Sequence, residues 1–413
     1  MHHFEYRDNR LFAEDVPVAD LAEQYGTPLY IYSTATLRRH FQAFDSAFDR
    51  IPHLTCYSVK ANSNLHLLKL LARLGAGMDI VSGGELFRAL KAGVPADKIV
   101  YSGVGKRPDE IRQALSAGIL MFNAESAAEI ALINELAGGL GTRARVSLRI
   151  NPDVDPKTHH YISTGLKKNK FGLDLEGSLA AYRLAADLPN LEPVGIDCDI
   201  GSQLTSVAPF LEALDTVLAF HDRLTALGLH IRYLDLGGGL GISYNDEEPP
   251  HPRVLGQALT EVLSRHKPVT LILEPGRVIA GNAGILVTRV LYTKRTPSKR
   301  FVIVDAAMND LIRPSLYGSY HRIAEVEKRG RAQENVDVVG PICESGDFLA
   351  KDRTLPGVEQ GELLAVFSAG SYGFTMSSNY NSRTRAAELL VDGNSVLVAR
   401  RRETYEDLVA LEA

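Results

Sequence analysis

The chain has 413 residues, 45% hydrophobic and 23% charged, with a formal net charge of −5. That length predicts two domains, and the mild acidity provides no basic face for nucleic acid or an anionic membrane. Three scattered cysteines, Cys56, Cys198 and Cys343, exclude a disulfide framework and fit a reducing cytoplasm; no run approaches the ~18 apolar residues of a membrane helix, the N-terminus is no signal peptide, and no CxxC or HExxH spacing argues for a metal site.

Residues 1–35 predict short strands around one helix (18–25), ending in the apolar run Pro28-Leu-Tyr-Ile-Tyr-Ser33. From about residue 36 helical patterns alternate with short apolar runs that read as buried parallel strands. Eight such runs occur, at 54–60, 77–82, 99–102, 119–123, 145–151, 194–200, 231–236 and 269–274, with helical patterns between them, as at 64–74, 84–92, 109–117 and 208–227. Eight strand–helix units over this length predict a (β/α)8 barrel of the TIM type, an α/β fold, at 36–280. Beyond it the helices thin out, and 287–291, 301–304, 336–339, 363–368, 386–391 and 396–401 read as strands broken by turns. This predicts an all-β domain of residues 281–413 that the N-terminal strands of 1–35 join. The stretches 305–320 and 368–385 are rich in Gly, Asn, Ser and Tyr, and the expectation is that they lie outside the core.

In such a barrel the chemistry lies at the C-terminal strand ends. Those ends carry Lys60, Asp79, Ser102, Asn123, Arg149 with Asn151, Asp199 with Ser202, Gly237-Gly-Gly239, and Glu274 with Arg277. A lysine ending a buried strand is costly unless it is paired or used, and a desolvated lysine is the usual Schiff-base partner of a carbonyl. The glycine run after strand seven leaves backbone N–H groups open to a phosphate. A carboxylate such as Glu274 can pair with a protonated ring nitrogen, while Arg277 can meet an anion bidentately. Lysine, carboxylate and glycine loop together describe pyridoxal phosphate.

The chain resembles the diaminopimelate decarboxylases, in the alanine-racemase-like group of pyridoxal-phosphate enzymes. The resemblance rests on Tyr57-Ser-Val-Lys-Ala-Asn-Ser-Asn64, Asp79-Ile-Val-Ser-Gly-Gly-Glu85, Tyr101-Ser-Gly-Val-Gly-Lys106, Asn151-Pro-Asp-Val-Asp155, Ile200-Gly-Ser-Gln203, Glu274-Pro-Gly-Arg277, Met308-Asn-Asp-Leu-Ile-Arg-Pro314, Cys343-Glu-Ser-Gly-Asp347 and Ser368-Ala-Gly-Ser-Tyr-Gly-Phe374. It implies that Lys60 holds the cofactor and Glu274 keeps its ring nitrogen protonated, with Asp79 and Asp199 also in the cofactor set. Ser202, Gly238, Gly239 and Gly276 would hold the phosphate, with Tyr372 closing over it. Arg277, Arg313 and Tyr317 would grip the distal carboxylate that distinguishes diaminopimelate from lysine. Cys343 and Glu344 would enter from the second subunit of a homodimer, the cysteine as proton donor.

One position departs from the family pattern. A ring-stacking histidine is usual after strand six, and this chain has Asp199 there. The resemblance implies decarboxylation of meso-diaminopimelate to L-lysine and CO2 in the cytoplasm. The alternatives are another amino-acid decarboxylase or racemase, and a catalytically silent cofactor-binding relative.

Overall fold

The computed structural model describes residues 2–154 and 170–412; Asp155 of the Asn151–Asp155 motif lies outside them. The chain divides into two compact units. One comprises Phe41–Ile242 and Glu248–Val278; the other comprises Met1–His40, Ser243–Glu247 and Ile279–Ala413. Four short strands open the chain: β1 (Phe4–Arg7), β2 (Arg10–Ala13), β3 (Val16–Pro17) and β4 (Leu29–Ser33).

The first unit is the predicted barrel. Its strands are β5 (His53–Ser58), β6 (Gly77–Ile80), β7 (Ile99–Tyr101), β8 (Met121–Ala124), β9 (Ala144–Arg149), β10 (Leu191–Asp197), β11 (Tyr233–Asp235) and β12 (Thr270–Leu273), and they close into one parallel ring in sequence order. Cys56, Val100, Leu120, Met121, Val194 and Ile272 fill part of the interior, packed against Leu54 and Tyr233. Each aliphatic side chain buried there contributes about 1.5–3 kcal/mol. The connecting helices begin where the sequence caps them. Asn64 accepts from the His66 N–H at the start of Leu65–Arg73, and Ser82 accepts from the Glu85 N–H at the start of Gly83–Lys91. The Glu85 carboxylate reaches back to the Val81 N–H, much as in a capping box. The Asp79–Glu85 motif therefore encodes a strand end and a helix start together.

Lys106 shows the same economy in the Tyr101–Lys106 motif. Its side chain is 1% exposed and its ammonium donates to the carbonyls of Gly103 and Asn123 and to Glu129 Oε1, each at 2.7 Å. A buried ammonium with three acceptors is a structural anchor for the strand ends.

In the second unit β1–β3 form a separate three-stranded sheet. The predicted N-terminal contribution to the β-domain is made by β4, which pairs with β13 (Gly284–Arg295) and β19 (Ala387–Asp392) inside a nine-stranded sheet. The other strands of that sheet are β14 (Arg300–Val304), β15 (Ile323–Glu325), β16 (Gln333–Val339), β17 (Phe348–Pro356), β18 (Leu363–Val366) and β20 (Ser395–Arg400). The sequence reading missed β15 and β17. The expectation that 305–320 and 368–385 lie outside the core is overturned. Ala306, Leu311 and Ala369 belong to the same buried cluster as Tyr30, Val304 and Val366. Asp310 among them is satisfied internally: its carboxylate takes the Ala307 N–H at 3.0 Å, and its carbonyl takes the Tyr30 hydroxyl at 2.6 Å.

Candidate active site

Lys60, expected as the last residue of the first barrel strand, lies instead in a single 3-10 turn (Val59–Ala61), because β5 ends at Ser58. Its ammonium donates to Asp79 Oδ2 at 3.0 Å; the lysine side chain is 38% exposed and that of Asp79 is 0% exposed. Ser58 joins the same carboxylate to the neighbouring strand end, its hydroxyl lying 2.8 Å from Asp79 Oδ2 and 2.9 Å from the Glu274 carbonyl oxygen, with one proton between the two acceptors. A lysine held by a buried anion at its Nζ, with its stem open, is accessible to a carbonyl compound yet fixed in direction.

Glu274 directly follows β12 and is 4% exposed. Ser102 donates to its Oε1 at 3.1 Å, and Asn123 Nδ2 bonds both Ser102 Oγ and Asp235 Oδ2 at 3.1 Å. Burial raises the Glu274 carboxyl well above the usual carboxylate range, with the charges of Asp235 and Asp79 adding to the effect. Glu274 is thus a buried acid whose neutral form the site favours.

Gly238 and Gly239 follow β11 where no side chain fits. A Cβ at Gly238 would come 2.3 Å from the Glu274 carbonyl oxygen, and one at Gly239, where φ is +108°, would come 2.6 Å from that of Gly201. Both residues are partly exposed, and neither N–H bonds a described residue. Gly276 faces Ser58 and Ala61. Arg277 Nη2 and Nε reach Ser202 Oγ at 2.9 and 3.3 Å, bringing a guanidinium, a hydroxyl and the glycine loop onto one side of the barrel.

Asp199 is held by Arg149 and by the backbone. Its Oδ2 lies 3.3 Å from Arg149 Nη2, which also donates to the Asp199 carbonyl, and its Oδ1 takes the Gly201 N–H at 2.9 Å. Arg149 additionally pairs with Glu125 Oε1 at 3.3 Å and lies over the Phe171 ring. Burial alone would acidify this guanidinium; the charges of Asp199, Asp197, Glu125 and Glu274 outweigh that and raise its pKa.

The remaining predicted residues belong to the second unit. Arg313 is 6% exposed, opens the short helix Arg313–Tyr317, donates to His321 Nε2 at 2.9 Å and Ser319 Oγ at 3.3 Å, and lies over the Tyr244 ring. Since His321 Nε2 accepts, its Nδ1 carries the proton and donates to the Phe367 carbonyl at 2.9 Å. Tyr317 is half-buried. Tyr372 is also half-buried and sits at φ +55°, a left-handed conformation costly for an aromatic residue and concentrated at functional loops. Cys343 and Glu344 are exposed neighbours, with the Cys343 N–H on Asn381 Oδ1 and Glu344 Oε2 taking the Tyr380 hydroxyl.

Sequence reasoning singled out neither Asp235 nor the pair His321 and Tyr244. Asp235 stands between two leucines as any strand residue could. A lone histidine and tyrosine carry no pattern until Arg313 is placed against them.

A parallel eight-stranded barrel with lysine, buried acid and glycine loop at its strand ends defines the architecture of a pyridoxal-phosphate enzyme. Residues 34–281 match the pyridoxal binding domain of the pyridoxal-dependent decarboxylases. The chain is 56% identical over 414 aligned residues to the diaminopimelate decarboxylase of Vibrio cholerae, covering 100% of this chain and 99% of that one. The crystal structure of the Helicobacter pylori diaminopimelate decarboxylase complexed with L-lysine superposes with a TM-score of 0.92 at 45% identity, covering 95% and 98% of the two chains. The M. jannaschii enzyme in co-complex with L-lysine gives 0.95 at 42% identity, covering 99% and 97%. The chain belongs to the diaminopimelate decarboxylase family of pyridoxal-dependent decarboxylases.

Proposed function

We propose that this protein removes CO2 from meso-diaminopimelate to give L-lysine, using pyridoxal 5′-phosphate. The observation that carries the reading is the set at the barrel's strand ends: Lys60 directed by Asp79, Glu274 buried just after its strand, and uncovered N–H groups at Gly238 and Gly239 beside Ser202 and Arg277. These residues fit the cofactor in kind, offering an amine for its aldehyde, an acid for its ring nitrogen and a donor-rich loop for its phosphate. When bound, the cofactor supplies an electron sink for the pair released as the C–C bond breaks.

The chain's own residues do the rest. Lys60 anchors the cofactor, with Asp79 fixing its direction. Glu274 would face the ring nitrogen of the bound cofactor and keep it protonated. Ser202, Gly238, Gly239 and Gly276 bind the phosphate, and Tyr372 closes over it. Arg313, held flat by Tyr244 and oriented by His321, recognises the distal carboxylate together with Arg277 and Tyr317. Asp199 lies in the cofactor set with its charge matched by Arg149. Cys343 and Glu344, exposed here, serve the site of a second copy in a homodimer, the thiol returning a proton to the carbon that lost CO2.

Among the described residues no helix is long and apolar enough to cross a membrane, and the reaction is assigned to the cytoplasm. A substrate panel tests the assignment: the purified protein with pyridoxal phosphate should turn over meso-diaminopimelate and leave ornithine and arginine untouched. Equal turnover of ornithine would overturn the role given to Arg313.

A further inference from the structure

Cys343 and Glu344 stand side by side in an exposed turn, where neither side chain is fixed by packing. The turn is closed from inside by Asp347, whose Oδ2 takes the Ile342 N–H and whose Oδ1 takes the Met308 N–H, both at 2.7 Å. Ser315 donates to the Gly346 carbonyl at 2.6 Å and ties the turn to the helix that begins at Arg313. A second turn, the 3-10 segment Tyr380–Ser382, meets it from the other side. Asn381 Oδ1 accepts from the Cys343 N–H at 2.9 Å, and the Tyr380 hydroxyl donates to Glu344 Oε2 at 2.9 Å. Each member of the pair is thus held by its own residue of the second turn.

The second turn carries strain. Asn381 (φ +55°) and Ser382 (φ +54°) are successive left-handed residues, a conformation that asparagine tolerates and serine adopts at a cost. Such backbone persists only where its surroundings over-determine it. Asn379 does this, its amide donating to the Arg383 carbonyl at 3.0 Å and to Glu403 Oε2 at 2.7 Å, and Arg383 donates to the Asp305 carbonyl at 2.9 Å. Both left-handed residues are exposed, so core packing does not call for the strain. The contact from Asn381 to Cys343 does.

We propose that Asn381 and Tyr380 are positioning residues, Asn381 setting the Cys343 thiol and Tyr380 the Glu344 carboxylate for the active site that the pair serves. The proposal rests on the roles given to Cys343 and Glu344 above. In the proton return the S–H bond breaks and a C–H bond forms with the electron pair left by CO2, and the thiolate regains a proton from water. That transfer needs donor and acceptor within hydrogen-bond reach, and a misplacement of about 1 Å can cost roughly 100-fold in rate. Asn381 touches neither substrate nor reacting atoms; it acts by fixing the backbone that carries the thiol. Tyr380 acts on binding, through the carboxylate it holds.

Kinetics of the cofactor-loaded, full-length protein test the proposal. Asn381→Gly removes the acceptor, and glycine adopts φ +55° freely, so the fold is kept. It should lower kcat about tenfold with a smaller change in KM, and should cause no further loss in a Cys343→Ala background, where no thiol remains to be placed. Tyr380→Phe should raise KM about threefold with a smaller change in kcat. An unchanged kcat in Asn381→Gly, the same tenfold loss on top of Cys343→Ala, or an unchanged KM in Tyr380→Phe would overturn the proposal. If the wild type releases no CO2, the proposed reaction fails, and amide hydrogen exchange decides the positioning. Exchange of the Cys343 N–H about tenfold faster in Asn381→Gly than in the wild type keeps it, and equal exchange overturns it.

Discussion

Lys60 Nζ lies 3.0 Å from Oδ2 of Asp79, a carboxylate with no exposed side-chain surface and with its second oxygen bonded to no described residue. The lysine is therefore the carboxylate's counter-ion as well as the proposed cofactor anchor. Removing one partner of a buried pair costs about 3–5 kcal/mol, because the other is left unpaired in low dielectric. The Lys60 side chain is partly open to solvent, which puts Lys60→Ala at the low end of that range. Lys60→Ala should lower the midpoint of thermal unfolding and also lose the visible absorbance of the bound cofactor, whereas Lys60→Arg should keep more of the stability and none of the absorbance. Parallel thermal melts and absorption spectra of the two variants check this.

Asp199 places a carboxylate where the family pattern has a ring. Because Arg149 and the Gly201 N–H hold it, the side chain is fixed in place and cannot stack on the cofactor. Asp199→His should tighten cofactor binding about fivefold (~1 kcal/mol) through ring stacking and raise kcat by roughly tenfold or more as the anion leaves the electron sink. Arg149 retains Glu125, and the fold should survive. Cofactor titration and kcat of the two proteins side by side measure both effects; an equal or lower kcat in the histidine variant would show that the aspartate is suited to this site.

Arg313 should act on binding more than on chemistry. Arg313→Lys keeps the charge but loses the fork that meets a carboxylate bidentately, and should raise KM for diaminopimelate about 100-fold (~3 kcal/mol) with a smaller change in kcat. His321→Ala should raise KM about tenfold, since it removes the acceptor that orients the guanidinium. A kcat change as large as the KM change would place Arg313 in the chemical step instead.

Asp310 carries a pH signature in stability. Burial raises its carboxyl to about 7, with bonds and charges from Ala307, Arg383 and Arg402 opposing the rise. A raised carboxyl favours the protonated folded state, so stability is lost as pH climbs from about 4 to 7 and the loss is complete above that. Asp310→Asn mimics the neutral acid and can still accept the Ala307 N–H. It should exceed the wild type in stability by on the order of 3 kcal/mol at pH 8, with the gap closing near pH 4. Denaturant unfolding at the two pH values reads the difference.

The barrel was legible because buried parallel strands are continuous apolar runs, and all eight stand where such runs occur. Lys60 and Glu274 were legible because charge at the end of such a run needs an explanation. The strand β17 was not. Its sequence Phe-Leu-Ala-Lys-Asp-Arg-Thr-Leu-Pro carries exposed charges in mid-run, as suits a strand at the edge of its sheet. The segment 305–320 looked like a surface loop by composition. Asp310 there instead takes hydrogen bonds from the Ala307 N–H and from the buried Tyr30 hydroxyl, a pairing that composition cannot reveal.

The central claim is that Lys60 and its barrel neighbours catalyse loss of CO2 from meso-diaminopimelate. The most direct test is to measure CO2 and L-lysine released by the purified, cofactor-loaded protein beside Lys60→Ala. The account predicts equal amounts of the two products from the wild type and none from the variant. No lysine from the wild type, or lysine from the variant at a comparable rate, would contradict it.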